Sequence, residues 1–346
     1  MMESSSVIAS QVTNEWVESV DMKSIQRALM AEQASRHAKK RKTKQRQVFM
    51  LLRLLAFLCI SPIAGLLIYL IVRGAPAVNW TFLTSPPLEN MCAGGIKPAI
   101  WGTMLLVSYA LLFALPIGVF GAIYLNEYAR QGRWTRTIRL AIINLAGVPS
   151  IVFGLFGLGI FVLTIGPWFA DPNLFGWHFH PKIGSHVLNM GFGASIIAGS
   201  MTLAILVLPL IITSTEEALK TVPRSFREAS LALGGTKWQT IRRVTLPNAL
   251  PGIMTGIVLA IGRAAGETAP ILLTVAVLYQ ASSPAWYQVT SPTMALPYHL
   301  YIISTQATSV PDSFQWGTAF VLLMVVLAFN AIAIIIRARF RAKQNW

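Results

Sequence analysis

A chain of 346 residues in which 54% are hydrophobic and only 12% charged has too few polar side chains to clothe a soluble domain of that size, and its mean hydropathy is +0.59. Those proportions point to a bilayer as the solvent. The formal net charge of +15 is not a nucleic-acid footprint, because the Lys and Arg residues fall between apolar runs rather than on one soluble face.

Residues 1–47 form a polar leader. Up to Ala34 it is rich in Ser, Gln and Glu, and Trp16, Val20, Ile25 and Leu29 trace a weak amphipathic pattern that predicts one surface helix. The Arg36 to Arg46 run that follows reads either as a regulated patch for anionic lipid or, more plainly, as the topogenic anchor of the first span, which is the reading we favour. The first apolar segment begins near Val48, too long and too far along for a cleavable secretory signal, so it is expected to remain as an anchor. Cys59, in an apolar run, and Cys92, in a Gly-rich loop, make neither a disulfide framework nor a metal motif and are read as free thiols.

A charge at mid-bilayer is expensive, so gaps between charges mark the spans, and a helix needs roughly 20 apolar residues to cross. Five gaps qualify cleanly: Leu54 to Val72, Pro98 to Asn126, Leu140 to Ala170, Ile183 to Thr215 (apolar mainly after Ala194), and Ser313 to Ile336. A further span, fifth in chain order, runs from near Leu250 to near Leu278 and alone carries charges in its middle, Arg263 and Glu267. The expectation is an all-α integral membrane protein with six transmembrane helices over residues 48–337 and a basic tail at 338–346. Lys and Arg number nine in the leader, four from Glu127 to Arg139, six from Glu216 to Arg243 and four after Ile336, against Arg73, Lys97 and Lys182 in the intervening loops. That asymmetry predicts cytoplasmic termini in a multi-pass inner-membrane protein.

Within the 216–247 loop, Ser225 with Glu228 makes one capping box and Thr236 with Gln239 another. Gly234 and Gly235 supply a left-handed end to the first short helix. The prediction is a helix, a tight turn and a second helix, followed by Leu246-Pro247 at the entry to span five. Any polytopic protein can carry a short capped helix between spans, but this loop is more specific. It resembles the loop common to ABC importer permeases: Glu228-Ala229-Ser230, then Leu233-Gly234, then Val244 and Leu246-Pro247, with Ser230 and Val244 as small departures from the usual Ala and Ile. In that family the loop seats in a cleft of a nucleotide-binding subunit, so the resemblance implies an ATPase partner and a coupling role for Glu228, Ala229, Leu233 and Gly234. No GxxxxGK[ST] loop is present. ATP and Mg are therefore expected on the partner, with no cofactor or metal on this chain and no catalytic role for it.

Arg263 and Glu267 are four residues apart, so they share a helix face and can pair. Intramembrane charges mark functional sites by default, although a purely structural pair is the plainer reading. Gly252 and Gly256, continued by Ala260 and Ala264, form one small-residue row, and Gly262 with Gly266 forms another, which predicts tight helix packing. An Arg among such helices suits an oxyanion, since its planar fork donates two parallel hydrogen bonds. Arg263-x-x-Gly266-Glu267-Thr268-Ala269-Pro270 resembles the motif that distinguishes A-type permease subunits of phosphate-specific ABC importers from their C-type sisters. The likeness continues through Pro98-Ala99-Ile100-Trp101-Gly102-Thr103, Ile123-Tyr124-Leu125-Asn126-Glu127-Tyr128 and Val148-Pro149-Ser150-Ile151.

The resemblance implies a type I importer permease fold and a phosphate path formed with Arg263, Glu267 and Thr268. It also implies a C-type permease partner, nucleotide-binding ATPase subunits and an extracytoplasmic phosphate-binding protein. Ser150, where Pro149 interrupts span three, either offers a hydroxyl to the path or marks an ordinary kink. One Arg does not by itself tell phosphate from sulfate or molybdate. An intramembrane enzyme using Glu267 would need a second catalytic group, and no HExxH, embedded Asp or Ser-His arrangement is present. An anion channel would leave the capped loop without a purpose. His178, His180 and His186 match no zinc spacing and are read as surface residues. Trp286, Tyr287, Tyr298 and Tyr301 resemble interfacial anchors.

Overall fold

The computed structural model describes residues 45–88, 93–130, 132–170, 193–280, 282–307 and 309–342, together with Met30, Met91, Lys182–Ile183 and His186–Val187. The leader's surface helix, all but the end of its basic run, Cys92, His178 and His180 lie outside the described residues. Two units divide the chain, Met1–Tyr69 and Leu70–Trp346. The first is helical from Gln45 onward, the beginning of α1 (Gln45–Ala77), and the rest of that helix opens the second unit.

Among the described residues six helices are long and apolar enough to cross a bilayer: α1, Lys97–Tyr128, Ser150–Trp168, Ile196–Thr221, Lys237–Gly266 and Asp312–Arg339. The second unit runs through α2 (Trp80–Thr84), a small hairpin of β1 (Pro87–Leu88) and β2 (Ala93–Gly94), and α3 (Lys97–Ile123). Asn79 starts α2 by accepting the Phe82 amide at 2.8 Å. α3 widens into a π turn at Tyr124–Tyr128 and is followed by α4 (Arg133–Ala146) and α5 (Ser150–Gly157). A second π turn, Leu158–Ile165, leads from α5 into α6 (Gly166–Ala170); after β3 (Lys182–Ile183) and β4 (His186–Val187) comes α7 (Ile196–Thr221).

α7 sits at the centre of this unit and is the most buried of the spans. Lipid gives helices no hydrophobic reason to associate, so dispersion contacts between closely approaching backbones must hold them. Small residues allow that approach. A Cβ on Gly118 of α3 would come within 2.6 Å of Ile211 Cγ2 on α7, and one on Gly199 of α7 within 2.6 Å of Val275. Val107, Phe153, Val207, Ile211, Ala260, Ile261, Ala264 and Ala333 fill the space between in one apolar cluster.

Two expected spans change shape. The third was expected from Leu140, but Arg133–Ala146 is a separate helix and the apolar rod starts at Ser150. Pro149 disfavours helical geometry at the residue before it and is itself extended at φ −55°, ψ 138°. The fifth was expected to continue to Leu278. Instead α10 (Leu246–Gly266) stops at Glu267, which is extended at φ −77°, ψ 132°, and α11 (Ala269–Thr274) begins after it. Two helices complete the unit, α12 (Leu296–Thr305) and α13 (Asp312–Ala342).

The 216–247 loop holds α8 (Arg224–Ala232) and α9 (Lys237–Thr240). Thr236 and Gln239 form the expected capping box. Ser225 does not cap: the helix begins at Arg224 after Pro223, with no side-chain cap bond. Gly234 has φ +80°, the left-handed geometry that ends α8. From Lys237 to Gly266 the helix is continuous, through a π turn at Ile241–Thr245. The wider turn lies where the Pro247 ring would otherwise crowd a carbonyl four residues back.

Candidate functional site

α10 is seated on α7 by one of the two small-residue rows. A Cβ on Gly252 would lie 2.6 Å from Ala218 Cβ, and one on Gly256 would overlap Ser214 Oγ. The other row does not pack as expected: a Cβ on Gly262 would meet Asn330 of α13 only at 3.5 Å, and Gly266 faces open space. That open side is where the charged pair lies.

Arg263 Nε donates to Glu267 Oε1 at 3.3 Å, an i,i+4 pair as predicted. Its setting differs from a mid-helix pair, because Glu267 is the residue at which α10 ends. Breaking the helix frees backbone carbonyls in its last turn, and a cation there is favoured electrostatically. The side chains are 32% and 18% exposed. Among the described residues Glu267 holds the guanidinium by Nε alone, so the two terminal nitrogens remain available to a planar acceptor.

α5 lines the break. A Cβ on Gly154 would be 3.0 Å from Ala269 O and 3.1 Å from Pro270 Cα, and Phe153 is buried in the cluster that includes Ala264 and Ala265. Ser150, one turn earlier on α5, is half-buried, as is Thr268 between α10 and α11. Neither hydroxyl is bonded to the charged pair. Asn330, which the sequence reasoning missed, lies over Gly262, the residue before Arg263 in the chain, with its Oδ1 buried and unpartnered. Its signal was a lone amide inside an apolar run.

At the other end of α10 stands the helix pair α8–α9. α8 buries none of its residues. Leu233 is 90% exposed, and Phe226, Leu231 and Trp238 are also exposed, an unusual density of apolar groups around one short turn. Glu228 and Ala229 are exposed beside them, and Gly234 shapes the turn. Ser230, the departure from Ala, bonds Thr240 across the two helices at 2.9 Å. These residues make a polar-rimmed apolar knob suited to a concave partner.

Beneath the knob lies an ionic network whose two long-range pairs sequence spacing did not reveal. Glu127 pairs with Arg227 at 3.1 Å, and buried Glu216 pairs with Arg139 at 3.3 Å and Lys220 at 3.4 Å. These residues, with Asn126, Arg224 and Glu228, border cavities of about 620 and 160 Å³. Trp286 and Tyr301 are exposed as expected of interfacial anchors, while Tyr298 packs partly into the core.

A broken apolar helix thus carries an ion pair at its break and, at its other end, runs on from an exposed capped turn. Residues 114–345 match the family described as binding-protein-dependent transport system inner membrane component. The probable ABC transporter permease protein YqgI of Bacillus subtilis is 32% identical over 293 residues, covering 80% of this chain and 90% of that protein. The phosphate transport system permease protein PstA 1 of Mycobacterium tuberculosis is 34% identical over 280 residues, with 80% and 83% covered. The chain belongs to this inner membrane component family and is an ABC importer permease. A bacterial ABC transporter that imports the acidic polysaccharide alginate shares the fold, with a TM-score of 0.53 and 17% identity over 84% of this chain and 94% of that one.

Proposed function

We propose that this chain forms half of the path of an ATP-driven importer of inorganic phosphate, with both termini in the cytoplasm. The observation that carries the reading is the Arg263–Glu267 pair at the end of α10, held by one bond and with the fork of the guanidinium uncommitted. An oxyanion takes two parallel hydrogen bonds from such a fork. Glu267 supplies the selectivity. Phosphate at neutral pH retains a proton and can donate it to a carboxylate oxygen, whereas sulfate, fully ionised, presents only acceptors to Glu267 and is repelled. Likeness to the Mycobacterium tuberculosis phosphate permease supports the same substrate. Thr268 stands at the break and Ser150 begins α5, the helix that lines it, and in this reading both offer hydroxyls to the passing anion.

A homologous C-type permease completes the path, and an extracytoplasmic phosphate-binding protein delivers the anion. The α8–α9 knob of Glu228, Ala229, Leu233 and Gly234 seats in a cytoplasmic ATPase subunit, which binds the ATP and Mg that this chain lacks a loop to hold. Closure of the two ATPases draws the knobs together and opens the helices outward. In vesicles containing the assembled importer, ATP-driven uptake of phosphate with exclusion of sulfate is the expected result, and Glu267→Gln is expected to erode that exclusion. Equal uptake of both anions by the wild type would contradict the assignment.

A further inference from the structure

We propose that Arg227 is the strut through which displacement of α8 enters the helix bundle, acting on Glu127 at the end of α3 and on the last carbonyls of α7. The inference deepens, and rests on, the reading of the chain as the membrane half of an ATP-driven importer.

Because α8 buries no residue, polar contacts must carry much of its link to the spans. Arg227 does the joining. Its Nη2 donates to Glu127 Oε1 at 3.1 Å and to Leu219 O at 2.7 Å, and its Nη1 donates to Val222 O at 2.8 Å. Leu219 and Val222 are at the end of α7, where carbonyls have no donor within the helix, and a guanidinium satisfies them and opposes the helix dipole. Glu127 is only 10% exposed in its side chain and is braced by Asn126 Nδ2 at 2.8 Å. The fork therefore grips two spans at once, a geometry that a single ammonium does not reproduce.

Both gripped spans lead toward the anion site. α3 meets α7 where Gly118 faces Ile211, and α7 presents Ser214 and Ala218 to Gly256 and Gly252 of α10, the helix that ends in Arg263. A push on α8 thus reaches α10 by side-chain contact through α7, in parallel with the covalent route through α9. The Ser230–Thr240 bond belongs to that covalent route, since it ties α8 to its own sequence neighbour.

The test measures ATP hydrolysed and phosphate taken up together, in vesicles holding the complete importer, for wild type, Arg227→Gln, Glu127→Gln and the double variant. Each single variant is expected to co-purify with the ATPase yet lose roughly tenfold in transport per ATP, a middling value for coupling between sites. The double variant is expected to lose no more than Arg227→Gln alone. Arg227→Lys, which keeps the charge opposite Glu127 but not the fork, should fall between. Unchanged ratios in the single variants, or losses that multiply in the double, would overturn the strut while leaving the importer reading in place. A wild type that binds no ATPase would overturn both. Should a variant fail to assemble, spin labels on Ser225→Cys and Tyr124→Cys, with Cys59 and Cys92 replaced by Ser, decide the matter in otherwise native importer. Their separation should be the same in nucleotide-free and ATP-trapped states, and a change between them would refute a rigid link.

Discussion

His299 offers a quantitative test of how this fold manages a buried polar ring. It lies on α12, outside the six spanning helices, 1% exposed and edge-on to Phe314, and both ring nitrogens are without hydrogen-bond partners. Burial disfavours the imidazolium and lowers the pKa from 6.5 to about 4. A folded-state pKa below the unfolded one means that the unfolded chain takes up the proton first, so stability is intact above pH 6.5 and is lost as pH falls toward 4. A gap of that size corresponds to about 3 kcal/mol once protonation is complete, and to about 2 kcal/mol between pH 8 and pH 5. The assay is thermal unfolding of the purified protein across that range, wild type against His299→Phe, which keeps a flat ring beside Phe314. The wild type should lose roughly 3 °C more than the variant on acidification. Identical pH slopes would refute the argument, because the other four histidines are common to both proteins.

Gly256→Leu places a side chain where Ser214 Oγ sits; it should force α7 and α10 apart at a cost of about 3 kcal/mol or more, read as a sharp fall in folded yield, while Gly266→Ala, facing open space, should be tolerated. Arg139→Met leaves buried Glu216 with only the half-exposed Lys220, an expected loss of roughly 2–3 kcal/mol measured by thermal unfolding. Thr236→Ala removes the bond to the Gln239 amide at 3.2 Å and should cost about 1 kcal/mol at the start of α9, seen as faster hydrogen exchange at Gln239 and Thr240 without a change in global melting.

The apolar runs carried the spans into view because a hydrocarbon slab imposes length and neutrality on any segment that crosses it, and those demands are one-dimensional. The Gly234 turn and the Thr236–Gln239 box were legible for a similar reason, being local chemistry within four residues. The break at Glu267 was not: the apolar composition of 269–278 continues across it, and only the backbone shows that α10 has ended. Leu140 looked like the start of a span because apolar residues resume there, yet the preceding arginines fold back as one side of α4, with Arg139 turned to Glu216. Arg227 is 100 residues from Glu127 and Arg139 is 77 from Glu216, separations at which no sequence period operates. Asn330 was invisible as a neighbour of Gly262 for the same reason.

The uncommitted fork of Arg263 is the central claim. ATP-driven uptake of labelled phosphate by vesicles containing the assembled importer, wild type beside Arg263→Gln, tests it most directly. Wild-type vesicles should accumulate phosphate and the variant should fall to background with its subunits still associated; accumulation at the wild-type rate by the variant would contradict the account.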